Sequence, residues 1–460
     1  MGEANNYPEV RWQTATSSDH RRVRQQRMTL AWGTSLLSKA ATVGVQVLAV
    51  PLVYRALGDT GYAAYAAVTA SAGLVGVLNL GIGGSLVTPI SDAAAKSDLR
   101  RQAILVQAGL GPLILLCLLG SLVVIPTVAL LPLSTLFGKV GIGDSWDLRA
   151  AALIAVSATL ATIPLSAVSF LRQAYQEMHI SNLIGAASNA LVCLALFLVV
   201  TRSTMVAAFV AVFVLIPLGS NVFNLGLLLS QRRFLLRREG RKVFHGSRQL
   251  LSDGVRFLGA AFANVLVFQW PVYWIARTLP ASTSSLFAVC VQATVLPLGF
   301  VFGFLQPLWP STADALARAD HRWLNIQMRR ARAVSVLAGS FAFLIFFLFG
   351  EELIHLWLRK PVKLTRSVCG LMGAYILLAI WEYFHFIIAM GLGRLRQATS
   401  AIFQRSLAFA LAVPLLAMSG GVEALWLGMC CSILFWTAWR LPRLLHAQVR
   451  EVGQAERVGT

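Results

Sequence analysis

Residues 89–100 read Pro89-Ile-Ser-Asp92-Ala-Ala-Ala-Lys96-Ser-Asp98-Leu-Arg100, and residues 310–322 read Pro310-Ser-Thr-Ala-Asp314-Ala-Leu-Ala-Arg318-Ala-Asp320-His-Arg322. Both follow the pattern Asp-Ala-x-Ala-Lys/Arg-x-Asp-x-Arg, at an offset of 222 residues. Upstream of each copy a proline stands inside a long apolar run, Pro51 in the first half and Pro271 in the second, 220 residues apart. A chain of 460 residues that repeats at half its length is built from two similar units.

Composition says what those units are made of. The chain is 57% hydrophobic and 13% charged, against about 25% charged in an ordinary soluble domain. This excludes a disordered chain, a disulfide scaffold and a conventional soluble enzyme. A bilayer span needs ~20 mainly apolar residues, and twelve such runs can be drawn: 28–56, 62–90, 101–131, 148–172, 180–201, 205–231, 250–278, 284–312, 331–350, 366–391, 397–418 and 421–442. Backbone groups in lipid must be bonded internally, so runs this long are helices rather than barrel strands, even where they hold Pro51, Pro112, Pro164, Pro217, Pro297 or Pro414. Six spans separate the two copies of the motif, so the copies point the same way. The expected fold is an all-α polytopic membrane protein of about twelve transmembrane helices, in two six-helix lobes related by a parallel pseudo-two-fold repeat. Its expected parts are a basic, disordered tail 1–27, a first lobe 28–231, a basic loop 232–249, a second lobe 250–445 and a tail 446–460. No short apolar stretch with a cleavage site precedes the first span, so no cleaved signal peptide is expected. The six cysteines lie almost wholly in apolar runs without metal-site spacing and read as small buried hydrophobes; no metal or cofactor is called for.

A net charge of +20 would suggest nucleic acid in a soluble protein. Here the spans distribute it. With the N-terminus inside, 27 of the 39 Lys and Arg fall in inside segments, nine fall outside, and Lys39, Arg256 and Arg405 lie within spans. The positive-inside rule therefore places both termini in the cytoplasm and leaves no need for nucleic acid. Residues 350–366 depart from the rule, with Arg359, Lys360, Lys363 and Arg366 outside. They read either as a contact for an anionic surface or cargo, or as a solvated loop too late in the chain to affect orientation.

The stretch Val50-Pro51-Leu-Val-Tyr54-Arg55-Ala-Leu57-Gly58-Asp59-Thr-Gly61-Tyr62, with Lys39 before it, resembles the first helix and loop of polysaccharide flippases. These are the polysaccharide-transporter branch of the MATE-like MOP superfamily. Leu78-Asn79-Leu80-Gly81-Ile82-Gly83, Pro310–Asp320 and Leu353–Leu358 are similar to further motifs of that family, so the resemblance runs from residue 28 to about 360. It implies a monomeric secondary transporter in the bacterial inner membrane that moves undecaprenyl-diphosphate-linked oligosaccharide from the inner to the outer leaflet, for O-antigen, capsule or exopolysaccharide. Membrane lipids, a polysaccharide polymerase and chain-length proteins are the further partners it implies.

The in-span charges are the candidate site. Lys39 lies eleven residues into the first span, ~16 Å deep at 1.5 Å per residue. A lysine there costs about 2.5–3.5 kcal/mol unless it meets a cavity or partner. Arg256 precedes by one turn Gly259, the repeat position of Lys39, and Asp253 is available to pair with it. Together with Arg405 these make a cationic cavity suited to a diphosphate; a structural hydrogen-bond role is the alternative. Glu382 and His385 share a face of the tenth span. They are ion-coupling candidates, or the glutamate neutralises a buried arginine. Asp92 and Asp314, each four residues before a cation, are candidates for fixing helix ends and gating the lobes.

Absent motifs narrow the function. No Gly-x-x-x-x-Gly-Lys-Ser/Thr phosphate loop and no His-Glu-x-x-His occurs. A membrane polymerase or ligase should carry catalytic groups on a sizeable outer loop, and the longest outer connections have only about fifteen residues. An enzyme is not expected. A MATE-type multidrug exporter shares the fold, but its cationic cargo calls for acids where this chain has Lys39. A major-facilitator carrier would place glycines in the repeated loop, and neither copy has one.

The orientation is directly testable. A cysteine placed at Gly240 should resist an impermeant thiol reagent added from outside, and one at Gly141 should react; the reverse pattern contradicts the cation count.

Overall fold

The computed structural model describes residues 17–76, 82–141, 145–237, 259, 262–305, 308–309, 312 and 321–445. Among these residues nine helices are long and apolar enough to cross a membrane. Two of them double back. The helix Ser17–Val75 reverses at Gly58 (φ 65°) and Leu395–Ser432 at Gly421 (φ 57°), left-handed backbone that glycine adopts without a Cβ penalty. The helix over 262–278 adds the remaining crossing, making twelve among the described residues. In chain order they are α1 (17–57), α2 (59–76, resuming as Ile82–Ala95), α3 (Leu99–Leu130), α4 (Trp146–Ala174), α5 (Met178–Val200) and α6 (Val206–Gln231). The second lobe has α7 (262–278), α8 (Ala281–Leu305), α9 (His321–Leu358), α10 (Arg366–Gly391), α11 (395–420) and α12 (422–445).

Two boundaries correct the sequence reading. The basic tail is helical from Ser17, because its Arg and Gln residues are good helix formers and Asp19 sits in the favourable first turn. The ninth helix begins at His321, ahead of the expected span 331–350, so α9 has 38 residues. That is ~57 Å against a hydrocarbon core of ~30 Å, and its exposed Arg329 and Arg330 lie in the part that overshoots. Most of loop 232–249, from residue 238, lies outside the described residues; its start is a short turn, Arg233–Leu236.

The surface is inverted relative to a soluble protein. Leu118, Leu122 and Leu130 of α3 are 62%, 72% and 80% exposed, a belt that only lipid covers. Inside the first lobe, Ala67, Val68, Leu86, Leu113, Ala151, Leu160 and Val210 form one apolar core. A larger core crosses between the lobes and packs Val53, Tyr54 and Tyr62 with Phe287, Cys290, Tyr375 and Trp426. The run of small residues Ala63, Ala64, Ala66, Ala67 and Ala70 in α2 is buried, and small residues let membrane helices approach closely. At Gly73 a Cβ would stand 2.9 Å from Gln269 of α7. The cysteines are unbridged, with Cys290, Cys369 and Cys430 buried.

Polar groups follow two rules. Prolines inside the helices free the carbonyl four residues earlier, and tryptophans take several of them. Trp270 Nε1 donates to Ala410 O at 3.0 Å, ahead of Pro414, and Trp381 Nε1 to Ala438 O at 3.2 Å, ahead of Pro442. Trp357 Nε1 of α9 donates to Val47 O of α1 at 2.7 Å, ahead of Pro51. Buried charges are paired: Arg172, with no exposed surface, donates to Glu177 at 2.7 Å, to Gln231 at 2.7 Å and to Asn224 at 3.2 Å. Arg232 reaches the other Glu177 oxygen at 2.7 Å. Burial pushes the Glu177 carboxyl up, but the hydrogen bonds and charges of Arg232 and Arg172 outweigh it and hold the group below its ordinary 4.5.

Removing one partner of a buried pair costs about 3–5 kcal/mol. Glu177→Gln should therefore melt several degrees below wild type at pH 7 in detergent. A depressed carboxyl stabilises above its unfolded pKa and loses that contribution as pH falls through the folded value. The gap between the two proteins should close on acidification below pH 4; an unchanged gap refutes the pairing.

Candidate functional site

The seam between the lobes holds the described charges that cross from one half of the chain to the other. Lys39 is exposed, yet its Nζ donates across the seam to Gly303 O of α8 at 3.3 Å. Gly303 makes room for it, since a Cβ there would stand 2.7 Å from the Lys39 nitrogen. On the same stretch of α1, Asn182 and Asn189 of α5 donate to Thr34 Oγ1 at 3.4 Å and Thr42 Oγ1 at 2.9 Å. Among the described residues the partner of Lys39 across the seam is a neutral carbonyl, which an anion can displace.

Far along α1, at the face opposite the N-terminus, the lobes are latched. Asp59, just past the Gly58 reversal, accepts from Tyr54 Oη and from Lys360 Nζ, the latter at 3.2 Å. Lys360 also lies 5.2 Å from the Tyr54 ring. Arg55 Nε donates to Leu358 O at 3.1 Å, where α9 ends, a favourable place for a cation. Gly138, between α3 and α4, packs on the Arg277 backbone of α7 so tightly that a Cβ would overlap it, and its φ of 58° suits glycine for a second reason. Lys360 and Asp59 are 46% and 38% exposed; pairs of this kind contribute about 0–1 kcal/mol. The latch is weak enough to open.

The other expected site residues fall elsewhere. Arg405 is buried in the second lobe, 3.1 Å from Glu382, and donates to Ser432 at 3.3 Å, so α10, α11 and α12 meet at this pair. Glu382 neutralises a buried arginine, and Arg405 is therefore not presented to an open seam. His385 is buried one turn on, its Nδ1 2.8 Å from Trp381 O and its ring tilted 55° against the Trp381 ring at 4.2 Å. Asp92 binds Lys96 at 2.9 Å and lies 3.7 Å from Arg101. The hydrogen bond from Lys96 holds its carboxyl below the ordinary range. Its described partners all belong to the turn from α2 to α3, inside one lobe. Arg256 and Asp314 lie outside the described residues. Sequence reasoning missed Trp357, Tyr54, Asp59 and Lys360 as a set. The signal for two of them was present, an off-rule cluster of cations at 350–366 and a proline that must orphan a carbonyl.

A family described as polysaccharide biosynthesis protein matches residues 30–315. The chain belongs to that family. Its fold is that of solved transporters: an inward-facing multidrug resistance MATE family transporter of the MOP superfamily, 11% identical with a TM-score of 0.70, covers 91% of this chain and 99% of its own. An outward-facing one, also 11% identical, aligns over 93% and 96% with a TM-score of 0.67. A MOP superfamily transporter from Pyrococcus furiosus, described as having a binding pocket of reverse polarity, is 11% identical over 94% and 97% with a TM-score of 0.66. A stretch of 94 residues is 30% identical to ABC transporter G family member 23 of Arabidopsis thaliana, and covers 20% of this chain and 15% of that protein. This member of the polysaccharide biosynthesis family has the multi-pass, all-helical fold of those solved transporters.

Proposed function

We propose that this transporter flips a lipid-linked oligosaccharide carrying a diphosphate, of the undecaprenyl kind, from the inner to the outer leaflet of a bacterial cytoplasmic membrane. The observation that carries the reading is Lys39: a cation deep in α1, exposed at the seam, whose partner across the lobes is a neutral carbonyl. A phosphate offers that ammonium charge-assisted hydrogen bonds, about twice as strong as the neutral one it replaces. Arg256, one turn before the repeat position of Lys39 in the sequence, is the proposed second grip. The family match to polysaccharide biosynthesis supports a glycan cargo, and the cation count supports cytoplasmic termini.

Transport then proceeds by parting the lobes alternately at the two faces. The weak latch of Tyr54, Asp59 and Lys360 opens one face; the apolar seam core slides or separates as a unit. The energy source is an ion gradient or the downhill consumption of the flipped lipid. Glu382 and His385, on one face of α10, are the proposed coupling groups. A polysaccharide polymerase and chain-length proteins would take the product, and the working unit is a monomer. A cationic cargo, as in multidrug exporters, finds no carboxylate among the described partners of Lys39, which disfavours that reading.

In cells lacking the native gene, Lys39→Ala or Arg256→Ala should abolish or sharply reduce surface polymer at normal membrane abundance. Lys39→Arg should keep part of it and Lys39→Glu none. Wild-type polymer from both alanine variants refutes the cationic grip while leaving the fold untouched.

A further inference from the structure

Away from the seam, on the outer flank of the second lobe, Arg396, Arg440 and Arg443 converge on one groove of about 640 Å³ between α11 and α12. Helical spacing brings them there. Arg396, Ser400 and Gln404 succeed one another at four-residue steps along one face of α11. On α12 the residues Ile433–Thr437 form a π-helical turn, which admits an extra residue and rotates the C-terminal part of the helix. Arg440 and Arg443 lie in that rotated part, one turn apart. The guanidinium of Arg440 is held in place: it donates to Gln404 Oε1 at 3.2 Å and stands 5.9 Å from the Trp436 ring. Gln404 in turn donates to Ser400 at 3.4 Å. No carboxylate lines the groove among the described residues.

The arginine end continues into an apolar one. Leu407, Leu411 and Leu415 extend the α11 face toward the middle of the bilayer, and Phe435 and Trp436 accompany them on α12, all of them on the surface. A ligand that fits has an anionic head for three guanidinium groups and hydrocarbon for the stripe below. Basic pockets between membrane helices at this depth hold lipid phosphates, and the planar guanidinium matches phosphate in two places at once. We propose that this groove binds the phosphate headgroup of an anionic membrane phospholipid, with its acyl chains lying along the Leu407–Leu411–Leu415 stripe. The site is separate from Lys39 and does not depend on the identity of the cargo.

The test is native mass spectrometry of the delipidated full-length protein, titrated separately with dioleoylphosphatidylglycerol and dioleoylphosphatidylcholine. The wild type should retain its first phosphatidylglycerol in clear preference to phosphatidylcholine. Neutralising one arginine should weaken that lipid about fivefold, and R396Q/R440Q/R443Q together on the order of 100-fold. The triple lysine variant should keep the preference, since charge remains. Should the triple glutamine variant fail to fold, Arg443→Gln alone, at an exposed position, decides by the presence or absence of its fivefold loss. Equal phosphatidylglycerol binding by wild type and folded variants overturns the proposal. Displacement of the lipid by inorganic diphosphate below millimolar concentration also overturns it, because the groove would then serve a water-borne anion.

Discussion

A carbonyl without an amide partner is the constraint around which this bundle is arranged. In lipid no water is available to take it, and each proline inside a helix creates one. The tryptophans answer three of them: Trp270 at Ala410, Trp381 at Ala438 and Trp357 at Val47. The first two lock helices of the second lobe to each other. The third crosses the chain, over a separation of 310 residues, and binds the first lobe to the second at a point that Pro51 prepares. Lys39 on Gly303 and Arg55 on Leu358 repeat the principle with cations. Beside their shared apolar core, the lobes thus meet at several backbone carbonyls held by single side chains.

Charged pairs are sorted by how permanent they need to be. Buried Arg172 and the partly buried Arg232 hold the partly buried Glu177 within one lobe, and Arg405 is buried with Glu382 within the other. Breaking a buried pair is expensive, so Arg172 with Glu177 and Arg232 ties the ends of α4, α5 and α6 together. Between the lobes, Asp59 and Lys360 are partly solvated and contribute little. In the proposed cycle two stiff halves, sharing one apolar core and a weak polar latch, would move against each other rather than deform. This is what an alternating-access transporter requires of its fold.

Much of the fold was legible in the sequence because its determinants are local. A run of apolar residues reports a span by its length, and the repeated Asp-Ala-x-Ala motif reports two lobes by its offset. At Ser17 and His321 the helices start ahead of the apolar runs, because helix propensity carries a helix past the edge of a span. The site was less legible. Nothing in the sequence around Lys39 announces that its partner is the Gly303 carbonyl, because a carbonyl has no residue-type signature. Arg405 looked like a cavity cation until its distance to Glu382 was known; two residues 23 positions apart on different helices pair only in three dimensions. Lys360 was visible as a violation of the charge rule, and its partner Asp59 sat in the Leu-Gly-Asp-Thr-Gly stretch after Pro51, but only the fold joins them.

The central claim is that the lobes must part where Asp59 meets Lys360 for cargo to cross. The direct measurement is transport by Asp59→Cys/Lys360→Cys, on an active background free of the native cysteines, joined by a short, cleavable bifunctional thiol reagent. Flipping of lipid-linked oligosaccharide in vesicles should stop on cross-linking and return when the linker is cleaved. Transport at the uncross-linked rate through a fully joined latch would contradict the account.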